Sequence, residues 1–205
     1  MSAYSWDFCL IQYNFLDVEF QAGRTGLRHA AEKGLGVMVM EPVKGGRLAG
    51  RIPAAVQALW DQAPIKREPA EWALRFVWNE PEVSLVLSGM SSLEQVQKNV
   101  AWVEAGTPGS LSHEELDIVE RVRQEYRRRL RVACTGCGYC KPCPAGIDIP
   151  FMLDCLNNLA CFEDLVGVNF SYNFSVKAGN TAAASACEAC GQCEDACPQH
   201  LPIMA

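Results

Sequence analysis

The chain of 205 residues has few histidines, no long apolar run and no excess of positive charge. Eighteen Lys and Arg against 24 Asp and Glu give a net charge of -6, which disfavours a polyanionic partner such as nucleic acid. No apolar stretch approaches the roughly 20 residues that cross a bilayer, and no charged-then-apolar leader opens the chain. We therefore expect a soluble, cytoplasmic protein with no membrane span and no nucleic-acid partner.

Eight of the eleven cysteines form two compact runs in the last third of the chain. Without a secretory leader, such runs indicate metal thiolates in a reducing compartment rather than a disulfide scaffold. Each run ends in Cys-Pro. The predicted metal ligands are Cys134, Cys137, Cys140 and Cys143 in the first run, and Cys187, Cys190, Cys193 and Cys197 in the second.

The spacing within the runs predicts two 4Fe–4S clusters. Three cysteines at two-residue intervals can wrap one side of a cube, and the fourth ligand must arrive from elsewhere. In two-cluster bacterial ferredoxins it comes from the other run. A crossed arrangement would give one cluster to the first three cysteines of the first run plus Cys197, and the other to the first three of the second run plus Cys143. The second run has the bacterial spacing, whereas the first has two residues instead of three before Cys143, which leaves the cluster served by Cys143 open.

Two other interpretations of the cysteines remain at this point. Structural zinc also uses Cys-x2-Cys pairs, although each run here supplies four thiols and a terminal Cys-Pro. The second alternative interpretation is that the cysteines form disulfides. The cysteines outside the runs, Cys9, Cys155 and Cys161, are expected to be buried as small apolar side chains. The histidines are isolated, and none is predicted as an iron ligand.

The first part of the chain alternates strand-like and helix-like segments, which predicts parallel βα units of an α/β fold. The predicted strands are Phe8–Tyr13, Leu35–Met40 and Val83–Ser88. The predicted helices between them are Arg24–Lys33 and Glu68–Trp78. After the third strand, Ser91–Glu94 has the pattern of a capping box, followed by Leu93, Val96, Val100 and Val103 at helical spacing.

A second capping box, Ser112–Glu115, predicts a long helix with an apolar stripe. The stripe consists of Leu116, Val119, Val122, Tyr126 and Leu130. Near Ala133 the composition changes to Cys, Gly and Pro, so we place a domain boundary between residues 1–132 and 133–205. In the second domain we predict a helix over Pro150–Leu165 and a loop over Gly167–Ala186.

Three segments of the first part resemble the last three strand–loop units of aldo/keto reductases. They are Trp6–Asp17, Met40–Leu48 and Ser88–Ser92. Together with the cysteine runs, they are most similar to the subgroup that carries a C-terminal ferredoxin-like domain. The resemblance implies a partial (β/α)8 barrel, of which this chain holds the last three βα units, followed by a small, mostly α-helical ferredoxin-like iron–sulfur domain.

The resemblance also implies a nicotinamide cofactor, NAD(P)H, at the C-terminal ends of the strands. The loop containing Gly45, Gly46 and Arg47 would approach its pyrophosphate, because a bare glycine backbone can come close to phosphate oxygens. The turn containing Gly89 and Ser91 leads into a helix N-terminus, which suits an anion. The family positions around the adenosine correspond to Gln95 and Asn99.

The chain departs from the family pattern at three positions and lacks a catalytic tetrad. Lys98 stands where an acidic residue often precedes the asparagine, and Leu10 and Met40 stand at the positions of the glutamine and the aromatic residue near the nicotinamide. The family's catalytic Asp, Tyr, Lys and His come from earlier strands, and this chain begins at what resembles the sixth strand. We assign no catalytic residue. An incomplete barrel should also have exposed parallel edges and an unfilled interior, which leaves the inner sheet face uncovered.

The predicted function is therefore an oxidoreductase that moves electrons through two 4Fe–4S clusters, with a redox partner protein or the missing barrel half as its partner. A ferredoxin-like electron carrier without catalytic activity is the first alternative. A regulatory module whose clusters sense oxygen or iron is the second.

Overall fold

The computed structural model of the protein describes residues 4–204. The chain divides into two compact units, and the division falls between Tyr126 and Arg127, inside a long helix. Within the described range, no helix is both long and apolar enough to cross a membrane.

The first unit is built on a three-stranded parallel sheet in the order β1-β2-β3. The strands are β1 (Phe8–Gln12), β2 (Gly36–Met40) and β3 (Val83–Val86). Phe8 pairs with Gly36 and Gln12 with Met40, so β1 and β2 are in register along their whole length. The pairing of β2 with β3 shifts between Val37 and Met38. The prediction of parallel βα units is confirmed.

Five helices surround or follow the strands. They are α1 (Gly23–Glu32), α2 (Ala54–Trp60), α3 (Pro69–Trp78), α4 (Leu93–Val103) and α5 (His113–Arg129). Proline at the first turn of α3 fits its fixed φ and missing N–H, as predicted. The sequence analysis missed α2, which is only seven residues long and whose first turn contains no acidic residue.

One face of the sheet forms the core of this unit. Val37 and Val39 of β2 are fully buried, and α1 and α3 pack on the strands. Aromatic side chains fill the space beyond the strand ends. The rings of Trp60 and Trp72 stack with centroids 5.0 Å apart, and the Arg67 guanidinium lies 4.6 Å above the Trp72 ring.

The opposite face of the sheet is uncovered. Phe8 and Leu10 of β1, and Leu85 and Leu87 at β3, are all exposed. The stripe of α4 is exposed along its length, at Leu93, Val96, Val100 and Val103. The expectation of an uncovered sheet face is confirmed.

A buried ion-pair network ties α3 to α5. Arg67 pairs with Glu115 and with Glu71, which also accepts from Arg75. Burial by itself would raise the pKa of Glu115, but hydrogen bonds from Ser112 and the Arg67 guanidinium lower it overall. Ser112 and Glu115 form the predicted capping box reciprocally, with N···O distances of 2.8 and 3.2 Å.

The stripe predicted for α5 is largely confirmed. Val119, Val122 and Tyr126 are buried, and Leu116 is partly so. The prediction was wrong for Leu130, which lies one residue past the end of the helix and is exposed.

The second unit consists of short helices and loops around a small core. It contains α6 (Ile149–Phe162), α7 (Leu165–Lys177), a 3₁₀ turn (Ala184–Ala186) and α8 (Gln192–Asp195). Its buried centre is Ile147, Ile149 and Leu153, against which Cys134, Cys140, Cys143 and Cys193 are among the partly buried side chains that pack. Thiols therefore form part of the wall of this core.

Helix α7 occupies much of the segment that was predicted to be a loop, and that prediction was wrong for residues 167–177. Asp164 caps the helix by accepting from the Gly167 N–H at 2.9 Å. From Val168 to Val176 polar and apolar residues alternate, which hides the usual helical stripe.

Candidate functional site

The glycine loop predicted to face a phosphate follows the C-terminal end of β2. Lys44, Gly45 and Gly46 have φ values of 51°, 61° and 85°, so three successive residues adopt the left-handed conformation. A Cβ added at Gly46 would meet no atom within 4 Å. Arg47 donates its backbone N–H to the Lys44 carbonyl at 3.1 Å, which closes a tight turn. The backbone is therefore accessible at Gly46 and shaped as a concave turn.

Beside this loop lies a polar network that the sequence analysis missed. Asp17 accepts hydrogen bonds from Gln12 and Asn14 at 3.0 Å each and from Lys44 at 2.7 Å. Asn14 is fully buried, and its amide also donates to the Glu41 carbonyl at 3.1 Å. The signal available in the sequence was three polar residues, Gln12, Asn14 and Asp17, at and just after the end of a strand-like run. This network fixes the loop after β1 to the loop after β2.

The turn after β3 uses its polar groups internally. The helix cap is Ser92 with Gln95, one residue later than the Ser91–Glu94 box that was predicted. Gln95 Oε1 accepts from the Ser91 backbone N–H at 2.7 Å, and Asn99 donates to Ser88 Oγ at 2.9 Å. Glu94 instead pairs with Lys98. Glutamine replaces glutamate in the box because its amide oxygen accepts the same bonds.

The strand order brings both loops to one edge. β2 and β3 are adjacent and parallel, so the Gly45–Arg47 loop and the Gly89–Ser92 turn leave the same edge of the sheet. Gly45 and Gly46 fit a phosphate group. The fit for the rest of a nicotinamide cofactor is poorer, because Gln95 and Asn99 already bond within the protein and Leu10 is an exposed apolar side chain on the sheet face.

In the second unit, the two cysteine runs have the same local backbone. In each run the N–H two residues after the first cysteine lies 3.4 Å from that cysteine's sulfur; Gly136 donates to Cys134 and Ala189 to Cys187. Gly138 and Gly191, equivalent positions, have φ values of 79° and 80°. The next turn closes alike, with Lys141 N–H to Gly138 and Glu194 N–H to Gly191 at 2.9 and 3.0 Å.

This repeated conformation turns backbone N–H groups toward sulfur. A thiolate is stabilised by such donors, and in iron–sulfur sites hydrogen bonds to sulfur tune the cluster. Ala189 adopts φ of 51° although it is not glycine, so the shape of the loop outweighs the usual cost of that conformation.

The cysteines of the two runs line two cavities in crossed sets. One cavity, of about 290 Å³, is lined by Cys187, Cys190 and Cys193 together with Cys143 of the first run, and Cys140 reaches it as well. The other, of about 20 Å³, is lined by Cys134, Cys137, Cys140 and Cys197. A cube in the smaller cavity requires its walls to move apart. Each cavity is thus lined by thiols from both runs.

Burial affects the thiols that face inward. It raises the pKa of Cys140, and the neighbouring thiols Cys134, Cys137 and Cys193 add to this. Burial likewise raises the pKa of Cys193. In the absence of positive charge, Cys140 and Cys193 therefore favour the neutral thiol, and a bound cation would favour the thiolate instead.

Residues 4–204 contain no group of three or more His, Cys, Asp or Glu side chains that is arranged to hold a metal ion. A single tetrahedral zinc needs its thiolates about 2.3 Å from one centre. A cube takes one thiolate at each of four iron corners, so its ligands stand further apart around a larger body. Thiols that line a cavity can therefore serve a cluster without forming a single-ion site.

The segment leading to the first run is held by a side chain that the sequence analysis did not single out. Asn157 of α6 accepts the backbone N–H groups of Arg131 and Val132 at 3.0 Å each and donates to the Val132 carbonyl at 2.7 Å. Cys155 and Cys161 on the same helix are buried, as expected. Cys9 is partly buried.

Comparisons with known proteins concern the first unit. The sequence model described as the Aldo/keto reductase family matches residues 2–123, so the match ends before the first cysteine run. The solved structures that resemble the chain include aldo-keto reductase AKR11C1 from Bacillus halodurans. Its holo form is 29% identical with a TM-score of 0.44, and the match covers 55% of this chain and 41% of that one. Its apo form is likewise 29% identical, with a TM-score of 0.43, and the match covers 55% of this chain and 42% of that one.

This chain thus spans about two fifths of the length of these solved relatives. A search of curated proteins found no match. Members of the matched family typically use NAD(P)H and are oxidoreductases. Because the family model matches more than half of the residues, over three βα units of a parallel sheet, the chain belongs to the aldo/keto reductase family.

Proposed function

We propose that this protein is an iron–sulfur oxidoreductase of the aldo/keto reductase type, in which a barrel domain (residues 1–132) is joined to an electron-transfer domain (residues 133–205) with two 4Fe–4S clusters. The observation that carries the proposal is a pair of cavities that are each lined by cysteines of both runs. One cluster would be held by Cys134, Cys137, Cys140 and Cys197, and the other by Cys187, Cys190, Cys193 and Cys143.

The surroundings of these thiols support clusters over disulfides. The structure contains all of the run cysteines as free thiols. In both runs a backbone N–H points at the first sulfur, and a left-handed glycine turns the chain around the second. Such geometry stabilises thiolates, which are the form that binds iron.

The barrel domain needs further strands to act as an enzyme. None of its described residues is assigned as the acid that would protonate a substrate carbonyl. The uncovered apolar face at Phe8, Leu10 and Leu85 supports the proposal that a barrel half closes over it, from the same polypeptide or from a partner. The glycine loop at Gly45 and Gly46 would then hold the phosphates of NAD(P)H.

A second candidate function is a ferredoxin-like electron carrier in which the barrel part is scaffold. It is favoured by the internal hydrogen bonds of Gln95 and Asn99, which occupy the side chains that a nicotinamide cofactor would use. Titration with NADPH separates the two candidates. Saturable binding that is weakened by Gly46→Val and unaffected by Gly109→Val supports the enzyme, whereas no binding by the cluster-loaded chain supports the carrier.

The clusters are tested by iron and acid-labile sulfide analysis of protein purified without air, followed by electron paramagnetic resonance after reduction. Two cubes predict about eight irons and eight sulfides per chain. Cys137→Ser should lose about half of the iron. The matched control is Cys9→Ser, a thiol outside both runs, which should lose none. Colourless protein that contains zinc would rule out the proposal.

A further inference from the structure

Helix α7 has two apolar faces rather than one. Apolar side chains stand at every second position from Val168 to Val176, and helical geometry turns each residue by about 100°. Alternate residues therefore fall on opposite sides. Val168, Tyr172 and Val176 lie on one side and are half-buried. Val166, Phe170 and Phe174 lie on the other, which we name the outer face.

The outer face is exposed and carries no charge along its length. Its residues are 81%, 73% and 61% exposed in chain order, and the Phe170 and Phe174 rings stack with centroids 6.2 Å apart. No charged residue occurs between Asp164 and Lys177. Leu165 beside it is also exposed. Contiguous apolar surface of this kind marks an interaction site in soluble proteins.

The ends of the outer face differ in charge. Glu163, which pairs with Arg129, and the capping residue Asp164 precede the helix, so one net negative charge stands at this end, and Lys177 ends the helix. Two copies packed in parallel would bring like charges together at each end. Two copies packed antiparallel would bring the acidic end of one toward the basic end of the other, and would also oppose the helix dipoles.

We infer that the occupant of the outer face is a second copy of this chain, packed antiparallel about a two-fold axis at Phe170. Phe170 is near the middle of α7, so each Phe170 meets its equivalent at the axis. Val166 of one copy then lies opposite Phe174 of the other, which pairs a small side chain with a large one. Self-complementary contacts of this type are the commonest in homo-oligomers. The inference depends on α7 alone and is independent of the clusters.

Sedimentation velocity of the cluster-loaded full chain over a concentration series tests the interface. The wild type should dimerise, and Phe170→Glu should raise the dimer dissociation constant at least about 30-fold, as expected for a central aromatic anchor. The matched control is Phe20→Glu, the same substitution at an exposed phenylalanine of the first unit that lies on no proposed interface, which should leave this dissociation constant unchanged. A monomeric wild type, or an effect of Phe20→Glu in place of Phe170→Glu, overturns the inference.

The two-fold axis is tested by mixing. Phe170→Glu and Phe170→Lys should each be monomeric alone, and an equimolar mixture should re-form dimers, because residue 170 meets itself across the axis. A mixture that stays monomeric overturns the antiparallel arrangement. The introduced glutamate and lysine can attract each other only if residue 170 of one copy contacts residue 170 of the other.

Discussion

The two units hold their candidate sites in different ways. In the first, the loops at the sheet edge are fixed by the protein's own hydrogen bonds, with Asp17 joining Gln12, Asn14 and Lys44. In the second, the buried cluster of Ile147, Ile149 and Leu153 is surrounded by thiols. Small units often need metal or disulfide staples to be stable. We therefore expect the first unit to fold its site without a ligand and the second, under the proposed function, to depend on one.

The largest effect is therefore expected when the iron of the proposed clusters is removed. Stripping the clusters without air should leave the amides of β1–β3 protected from hydrogen exchange and expose those of α6, because metal-binding energy is folding energy in such units. Hydrogen exchange read by mass spectrometry on loaded and stripped protein measures this. Unchanged protection of α6 would show that the second unit is stable without metal.

A smaller effect is expected when the ion-pair network of the first unit is broken. Arg67→Ala leaves Glu115 buried without its partner and should cost about 3–5 kcal/mol of unfolding free energy. All five tryptophans precede Arg127, so their fluorescence during denaturation reports on this unit. Lys98→Ala, which breaks exposed pairs with Glu94 and Glu68, is the control and should have little effect. Equal losses would mean that burial of the network is unimportant.

Acid should weaken the same network. The folded pKa of Glu115 lies below its ordinary value of 4.5. Its stabilising contribution is thus complete above pH 4.5 and is lost as the pH falls through the lowered folded value. Glu115→Gln should cost about 2 kcal/mol at pH 7, and the difference from wild type should shrink below pH 4.5. A difference that is constant with pH would contradict the role of the charge.

The position of the backbone in the glycine loop is tested by a still smaller change. Gly46→Ala should destabilise the first unit by about 1 kcal/mol, because φ is 85° there although space is free. Gly89→Ala is the control, since Gly89 has free space and no positive φ. It should be neutral or slightly stabilising. The tryptophan signal again gives the measurement, and a similar loss in both variants would refute the conformational explanation.

Sequence patterns predicted the first unit well because its elements have a single periodicity. The apolar runs at Phe8 and Val83 became strands, and Pro69 began α3. The predicted capping box at Ser91 was misplaced by one residue. Ser91 with Glu94 and Ser92 with Gln95 both satisfy the capping-box pattern, and the structure uses the second pair. The Asp17 network could not be predicted in detail, because it joins residues from loops that only the folded sheet brings together.

In the second unit the cysteine spacing was informative and the helical pattern was not. The cysteines of both runs line shared cavities, and the spacing did not predict the matching turns at Gly138 and Gly191. Polar and apolar residues alternate along α7. They therefore form two apolar faces instead of the single apolar stripe by which a helix is predicted. Its existence depends on the cap at Asp164 and on packing against α6, neither of which is visible as periodicity.

The crossed ligand sets are tested most directly by combining serine substitutions. Replacing Cys134, Cys137 and Cys140 together should leave about four irons per chain, held by Cys187, Cys190, Cys193 and Cys143. In that background, Cys197→Ser should remove no further iron, and Cys143→Ser should remove nearly all of it. The reverse result would contradict the crossed arrangement: Cys197→Ser would remove the remaining iron, and Cys143→Ser would leave it in place.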